Sequence, residues 1–324
     1  MKALKKWNLS KHVVVVILLV FWIFMLIFNA HFRTWANMNS ILREASTTGI
    51  AALGMTYIII MGDFDLSIGS LLALLGMILA TGIETIGIVP AIICTCICGL
   101  IGGLINGVII AYCNVPAFIT TLGTYYSYRA LAYIYKDAGT IMIKNSTLSA
   151  IGNGDILGIP IPFIILIVMA IIAATVLTRT IYGRSVMALG NSIKTARICG
   201  INTKFVKMFT FGLIGFCTAV STLVVTARQS CAAPDVATNF HFDAITMVVL
   251  GGTKMSGGEG SIWNTVVAAV LYASVSNCLS LYHVDSSMQR IVMGLILLIA
   301  FSFDIIGEKI TLIRKRINNK KAVA

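Results

Sequence analysis

The sequence predicts an all-α integral membrane protein of about ten transmembrane helices, with both termini cytoplasmic and broken helices in two pseudo-repeated halves. Three observations carry that prediction. Of the 324 residues, 58% are hydrophobic and only 11% charged, whereas a water-soluble surface draws on about 25% charged residues. Apolar runs of roughly 17 to 25 residues, the length that crosses a bilayer as a helix, recur about ten times. A glycine-rich polar break also interrupts hydrophobic sequence twice, as Ile58-Ile-Ile-Met-Gly-Asp-Phe-Asp-Leu-Ser-Ile-Gly-Ser70 and as Val248-Val-Leu-Gly-Gly-Thr-Lys-Met-Ser-Gly-Gly-Glu-Gly-Ser261. Each runs apolar segment, Gly, charge, Ser, Gly-Ser, apolar segment, although the second copy has two extra residues between Ser256 and Gly260. A break at membrane depth frees backbone groups that lipid cannot satisfy, so it persists only where protein or a water-filled path surrounds it. Two such breaks in corresponding halves suggest a transport pathway.

In chain order the spans are read at approximately 13–31, 46–62, 66–85, 88–112, 116–135, 159–179, 208–228, 243–256, 261–281 and 289–306. The first is too long for a cleavable signal, and Ala30-His-Phe-Arg33 lacks a small-residue cleavage pattern, so it stays as an anchor. The eighth is short, as a broken helix would be. Together they make one transmembrane domain over 1–324, with a cytoplasmic loop at about 180–207 and a cytoplasmic tail at about 307–324. Orientation follows from lysine and arginine, which gather on the cytoplasmic side. Residues 1–12, 179–207 and the tail from Lys309 hold sixteen of the 24 basic residues, and ten alternating spans put all three on one side.

A net charge of +12 raises nucleic acid as a partner, but these cations flank apolar helices instead of forming a patch interleaved with aromatics. They set topology and touch anionic lipid. Six of the eight cysteines lie in or beside predicted spans, where cysteine behaves as a small apolar residue. Alternate residues of a helix point about 200° apart, so Cys94, Cys96 and Cys98 do not converge on one metal ion. His12, His31 and His283 never pair at helical spacing. No metal, cofactor or catalytic constellation is therefore expected, and no phosphate loop of the Gly-x-x-x-x-Gly-Lys-Ser/Thr type is present.

The segment 179–207 is the longest polar stretch on the cytoplasmic side. Ser192 suits the cap of a short helix over 193–199 and Gly200 its end, which gives a helix with small and basic residues lying across the membrane surface. Such a helix could dock in a partner's groove or only anchor to headgroups.

Here the sequence resembles a known family. Tyr182-Gly-Arg-Ser-Val-Met-Ala-Leu-Gly-Asn-Ser-Ile-Lys-Thr-Ala-Arg-Ile-Cys-Gly-Ile201 is similar to the coupling loop of the ribose-type permeases of bacterial ABC sugar importers. Gly62-Asp-Phe-Asp-Leu-Ser-Ile-Gly-Ser70 is similar to the family's Gly-Gly-Ile-Asp-Leu-Ser-Val-Gly-Ser. Asn114-Val-Pro-Ala-Phe-Ile-Thr-Thr-Leu-Gly123, with Arg129 after it, matches another family stretch, and Ala227-Arg228, Pro234, Asp243-Ala-Ile245 and Leu250 to Ser261 follow in family order. The resemblance implies a permease in the bacterial cytoplasmic membrane, paired with a second and usually identical permease, with ATP-binding subunits and with an extracytoplasmic sugar-binding protein. It also implies that Thr195, Ala196, Arg197 and Gly200 sit in the ATPase groove. Asp63, His241 and Asn264 depart from the family pattern, where Gly, Glu and Gly are usual.

Asp65 is a carboxylate inside membrane sequence, where charge is costly and faces a partner, cavity or path. With Ser67 it is a candidate for the substrate pathway, contacting sugar or gate; the other reading is that Asp65 caps the third span. Asp63, two residues away, would repel it unless one acid reaches the interface or is protonated. Thr121, Tyr125 and Arg129 recur every four residues and share a helix face with Thr120 nearby; that face suits a sugar, or packing with a snorkelling arginine. Arg228, Pro234, Asp235, His241 and Asp243 bracket an outward segment, 228–243, where a binding protein could dock, with His241 an ordinary loop histidine. Lys254 and Glu259 either bridge the second break or leave Lys254 to snorkel to phosphate. The rival readings are a proton-coupled secondary transporter, which would use Asp63, Asp65, Asp243 and Asp304 as relays, and a membrane-embedded enzyme, which would need clustered ligands or a nucleophile.

Overall fold

The structure, a computed structural model, describes residues 13–302. The amino-terminal lysines, His12, Asp304 and the basic tail lie outside the described residues. The helices are α1 (Val13–Phe28), α2 (Trp35–Met61), α3 (Ile68–Ile86), α4 (Ile88–Tyr112), α5 (Ala117–Ile134), α6 (Ser146–Asn153), α7 (Ile161–Arg179), α8 (Ile181–Asn191), α9 (Ile193–Ile198), α10 (Thr203–Gln229), α11 (Phe240–Leu250) and α12 (Ile262–Leu281), followed by α13 (Ser286–Ser302). Among them α2, α3, α4, α7, α10 and α12 are long and apolar enough to cross a membrane, while α1, α11 and α13 are shorter apolar helices. At 18 residues α5 is long enough but carries Arg129 and three threonines.

Every residue of α2 from Gly49 to Met61 is buried, as expected of a helix that is apolar all round. It begins at Trp35, eleven residues before the predicted span, because its polar amino-terminal half finds partners. Thr34 caps it by accepting from Asn37 N at 3.3 Å. Against α12, Asn277 Nδ2 donates to Asn37 Oδ1 at 2.9 Å, Ser276 Oγ to Glu44 Oε1 at 3.0 Å, and Thr56 meets Thr265 at 2.9 Å. Helix α10 likewise starts at Thr203 instead of 208, capped by Asn202.

Small residues set the closest helix crossing. Gly99, Gly103 and Gly107 of α4 lie against the backbone of α10 at Gly215, Phe211 and Met208, with no room for a Cβ at any of the three. Backbones approach this way where small residues line a membrane helix interface.

One end of the bundle is closed by short elements the span pattern does not show. β1 (Ile141–Met142) pairs antiparallel with β4 (Cys231–Ala232), and β2 (Asp155–Ile156) with β3 (Ile159–Pro160). α6 is capped by Asn145. Arg43 on α2 reaches this layer through a 2.8 Å ion pair with Asp155.

Only 11 residues long, α11 rises about 16 Å, half of a roughly 30 Å hydrocarbon core. The chain before it, 233–239, is irregular and lies against the start of α3, where the Ala237 carbonyl takes the space a Cβ on Gly69 would need. The eighth predicted span, 243–256, is thus most of the half-helix α11 and the start of the glycine-rich turn after it, while the non-helical strip that precedes α11 is packed in protein, the setting in which membrane-depth breaks survive.

Candidate functional site

At the end of the bundle opposite the strands, the two glycine-rich segments and the loop after α7 converge. The Gly258 N–H donates to the Ile60 carbonyl at 2.8 Å, so the turn after α11 sits directly on the last turn of α2. Gly190 of α8 packs against both atoms, with no space for a Cβ. The two breaks are therefore adjacent turns at one end of the bundle. Tyr182 anchors α8 further through a 2.8 Å hydrogen bond with Thr210 and ring contacts to Tyr57 and Phe209.

Helix α9 follows as the sequence predicts. Ser192 Oγ accepts from Thr195 N at 3.2 Å, and the chain turns at Gly200 with φ +81°, the left-handed conformation that glycine adopts without Cβ strain. Thr195, Arg197 and Gly200 are exposed. Ala196 is buried at 3% exposure, which corrects its expected place in a partner's groove: it is the methyl by which α9 rests on the protein. Ile198, absent from the sequence-based candidates, is 78% exposed; an apolar residue beside the basic positions of a surface helix is the signal that marks it.

Asp63 and Asp65 diverge instead of repelling. Asp63 pairs with Lys207 Nζ of α10 at 2.6 Å, beside a cavity of about 260 Å³ that Arg197 and Lys204 also line. Asp65 is 1% exposed, and its Oδ1 accepts from Ser67 N at 2.8 Å and Ser67 Oγ at 2.6 Å. Asn106 Nδ2 on α4 in turn donates to Ser67 Oγ at 2.9 Å. This is an Asx turn leading into α3: the carboxylate satisfies the amide of Ser67, the residue before the helix, without capping its first turn, and α4 completes the network. Asn106 was not anticipated, because a single Asn within Gly102-Gly103-Leu-Ile-Asn-Gly107 reads as helix packing.

On α5 the predicted face exists but is turned to structural use. Arg129 Nη1 donates to the Pro234 and Val236 carbonyls at 2.6 and 2.8 Å, and Nε to Ser70 Oγ at 3.3 Å. Its guanidinium lies 5.8 Å from the Tyr125 ring centroid, and Tyr125 packs edge-on to His241 at 5.4 Å. Thr121 Oγ1 bonds back to Ala117 O at 2.8 Å, while Thr120 is buried. One arginine thereby satisfies two carbonyls of the irregular 233–239 strip. A lysine there presents a single point charge and loses that fork. Arg129→Lys is expected to cost about 1–3 kcal/mol, read as a lower thermal unfolding midpoint of the detergent-solubilised protein.

The outward-segment residues separate. Asp235 is exposed, but Pro234 is buried and His241 is 6% exposed in the first turn of α11; packing against Tyr125 and Phe242 removes His241 from any loop surface. Arg228 lines one cavity and Asp243 another. Tyr272 donates its hydroxyl to Asp243 Oδ1 at 2.5 Å. Lys254 bridges Glu259 at 2.8 Å across the second glycine-rich turn instead of snorkelling. Asp65, Ser67, Thr120, Thr121, Tyr125 and Arg129 do not line these two cavities. Among the described residues no group of three His, Cys, Asp or Glu side chains is placed to hold a metal ion.

A family model described as "Branched-chain amino acid transport system / permease component" matches residues 37–301. The ribose import permease protein of Haemophilus influenzae is 36% identical over 85% of this chain and 87% of its own length. That of Bacillus subtilis is 37% identical over 86% and 87%. The L-arabinose transport system permease protein of Escherichia coli is 32% identical over 91% and 90%. No solved structure matches.

Proposed function

The chain belongs to the branched-chain amino acid transport system permease family, as a ribose-type permease of the bacterial ABC sugar importers, and from that premise we propose that it is the membrane-spanning subunit of an importer for a monosaccharide. Its lodging is the bacterial cytoplasmic membrane, which it crosses several times. In the full proposal it spans that membrane ten times with both termini in the cytoplasm. It pairs with a second copy of itself and receives a ribose-like pentose, a hexose or a related furanose from an extracytoplasmic binding protein. Passage is by alternating access, energised by ATP-binding subunits on separate chains. The relatives named for ribose and L-arabinose support the sugar class.

The observation that carries this reading is the α8–α9 segment. α9 stands out from the body on a single buried methyl, that of Ala196, and offers Thr195, Arg197, Ile198 and Gly200 to a partner. Behind it, α8 lies with Gly190 on the Ile60 carbonyl and the Gly258 amide, so a push on α9 reaches the end of α2 and the turn after α11 through backbone contacts. A solitary proton-driven carrier has no use for such a handle. Purification in mild detergent is expected to bring down an ATP-hydrolysing subunit. Uptake of labelled ribose, xylose or arabinose by cells is expected to stop on ATP depletion and to survive a protonophore. A solitary protein whose sugar uptake the protonophore abolishes would overturn the proposal.

A further inference from the structure

Two cavities at the strand-bearing end of the bundle share one wall. The larger, of about 630 Å³, is lined by Asp243, Tyr272, Gln289 and Arg290 among others. The smaller, of about 370 Å³, is lined by Glu44, Thr47, Thr48, Asn153 and Arg228 among others. Ala237 and Phe240 line both, so the partition is the end of the strip that Arg129 holds, together with the first residue of α11. Both volumes fall in the roughly 300–1,000 Å³ range of small-molecule sites.

Helix α12 ties the two together. Tyr272 holds Asp243 Oδ1 at 2.5 Å, and Ser276, one turn further on, holds Glu44 Oε1 at 3.0 Å. Residues four apart on a helix are surface neighbours, so the two carboxylates are presented side by side from α2 and α11. One oxygen of each is occupied by its hydroxyl partner, and the other takes no hydrogen bond from the described residues. Two arginines, Arg228 and Arg290, complete the lining. Opposite charges are therefore balanced, and the walls offer charged acceptors, charged donors and aromatic faces at once. Ionised carboxylates make the stronger hydrogen bonds to hydroxyls, and the neighbouring rings of Phe240, Phe242 and Tyr272 suit the apolar face of a sugar.

We propose that Glu44 and Asp243, one from each of the two adjoining cavities, form a binding site for a neutral polyhydroxylated solute of monosaccharide size, with Tyr272 and Ser276 as the positioning residues that aim the carboxylates. The site deepens the importer reading and rests on it. Neither Glu44 nor Tyr272 is conspicuous in the sequence: Glu44 falls just before the predicted second span, and Tyr272 reads as an ordinary residue of an apolar helix.

The test uses the complete importer, and the probes are labelled D-ribose, D-xylose and L-arabinose. Glu44→Gln and Asp243→Asn keep side-chain size and still accept from Ser276 and Tyr272. Each is expected to lower maximal uptake about tenfold or more, the loss of one charge-assisted hydrogen bond at a passing solute, and to shift the preference among the three sugars. The amount of assembled complex is expected to stay as in the wild type, because the amide variants keep both contacts to α12. Gly294→Trp is the second variant: Gly294 lines the larger cavity with nothing within 4 Å of a Cβ, so the new side chain starts from open space and narrows the cavity, and uptake is expected to fall likewise. Unchanged rates and preference in these variants, with a wild type that transports, would overturn the site and leave the importer reading standing. A wild type that moves none of the three sugars would overturn the importer reading and the site with it.

Discussion

Gly190→Val is expected to abolish sugar uptake. A Cβ at position 190 collides with the Ile60 carbonyl and the Gly258 amide, which are hydrogen-bonded to each other at 2.8 Å. These are backbone atoms at the ends of α2 and of the turn after α11, so they cannot rotate away as a side chain would. Overpacking of this kind costs about 1–3 kcal/mol, and relief comes only by lifting α8 off the two turns. The protein is expected to remain in the membrane, because α8 is a small part of its contacts, while uptake of labelled ribose falls to background and protease cuts faster near residue 192. Gly200→Ala is the contrasting change. Nothing lies within 4 Å of a Cβ there, and only the φ of +81° opposes it, at about 1–2 kcal/mol. Its uptake is expected to fall much less.

Ile198→Glu is expected to break function by the opposite route. The side chain is 78% exposed, so its replacement leaves the fold and the thermal unfolding midpoint unchanged. If α9 seats in a hydrophobic groove of an ATP-binding subunit, a carboxylate at that position is desolvated without a partner, which costs several kcal/mol at an interface. ATPase co-purification and uptake are both expected to be lost. Retained co-purification would remove Ile198 from the contact. The same double readout separates α9 from Ala196, whose 3% exposure makes Ala196→Glu a folding defect first: burial of an unpaired charge loosens α9 whether or not a partner is present.

Much of the helical framework is legible in the sequence because bilayer length and backbone satisfaction leave few choices. Apolar runs at 88–112 and 261–281 correspond closely to α4 and α12. Ser192 and Gly200 delimit α9 because caps and left-handed turns are local properties of one or two residues. Where the reading stops short, the missing information is a partner on another helix. Hydropathy places the start of the second span at 46, since Asn37, Ser40, Arg43 and Glu44 are polar; the helix runs from Trp35 because Asn277, Ser276 and Asp155 satisfy three of those side chains.

The candidate residues divide in the same way. Asp65 is legible as a local structural residue from the Ser67 that follows it, a contact two residues long. Arg129 looks equally suited to a sugar or to packing until the Pro234 and Val236 carbonyls are found against it, 105 and 107 residues away. His241 reads as a loop histidine because nothing nearby in sequence shows Tyr125 against its ring.

By itself the sequence determined the membrane class, the near extent of most helices, the capped α9 and the family, all of which follow from composition, local backbone preference and motif order. Only the tertiary structure decided that the two glycine-rich segments meet under Gly190, that α11 is a half-helix held by Arg129, and that Glu44 joins Asp243 through one face of α12. The physical reason is that a membrane-embedded polar group must find its hydrogen-bond partner within the protein, and that partner can lie anywhere along the chain.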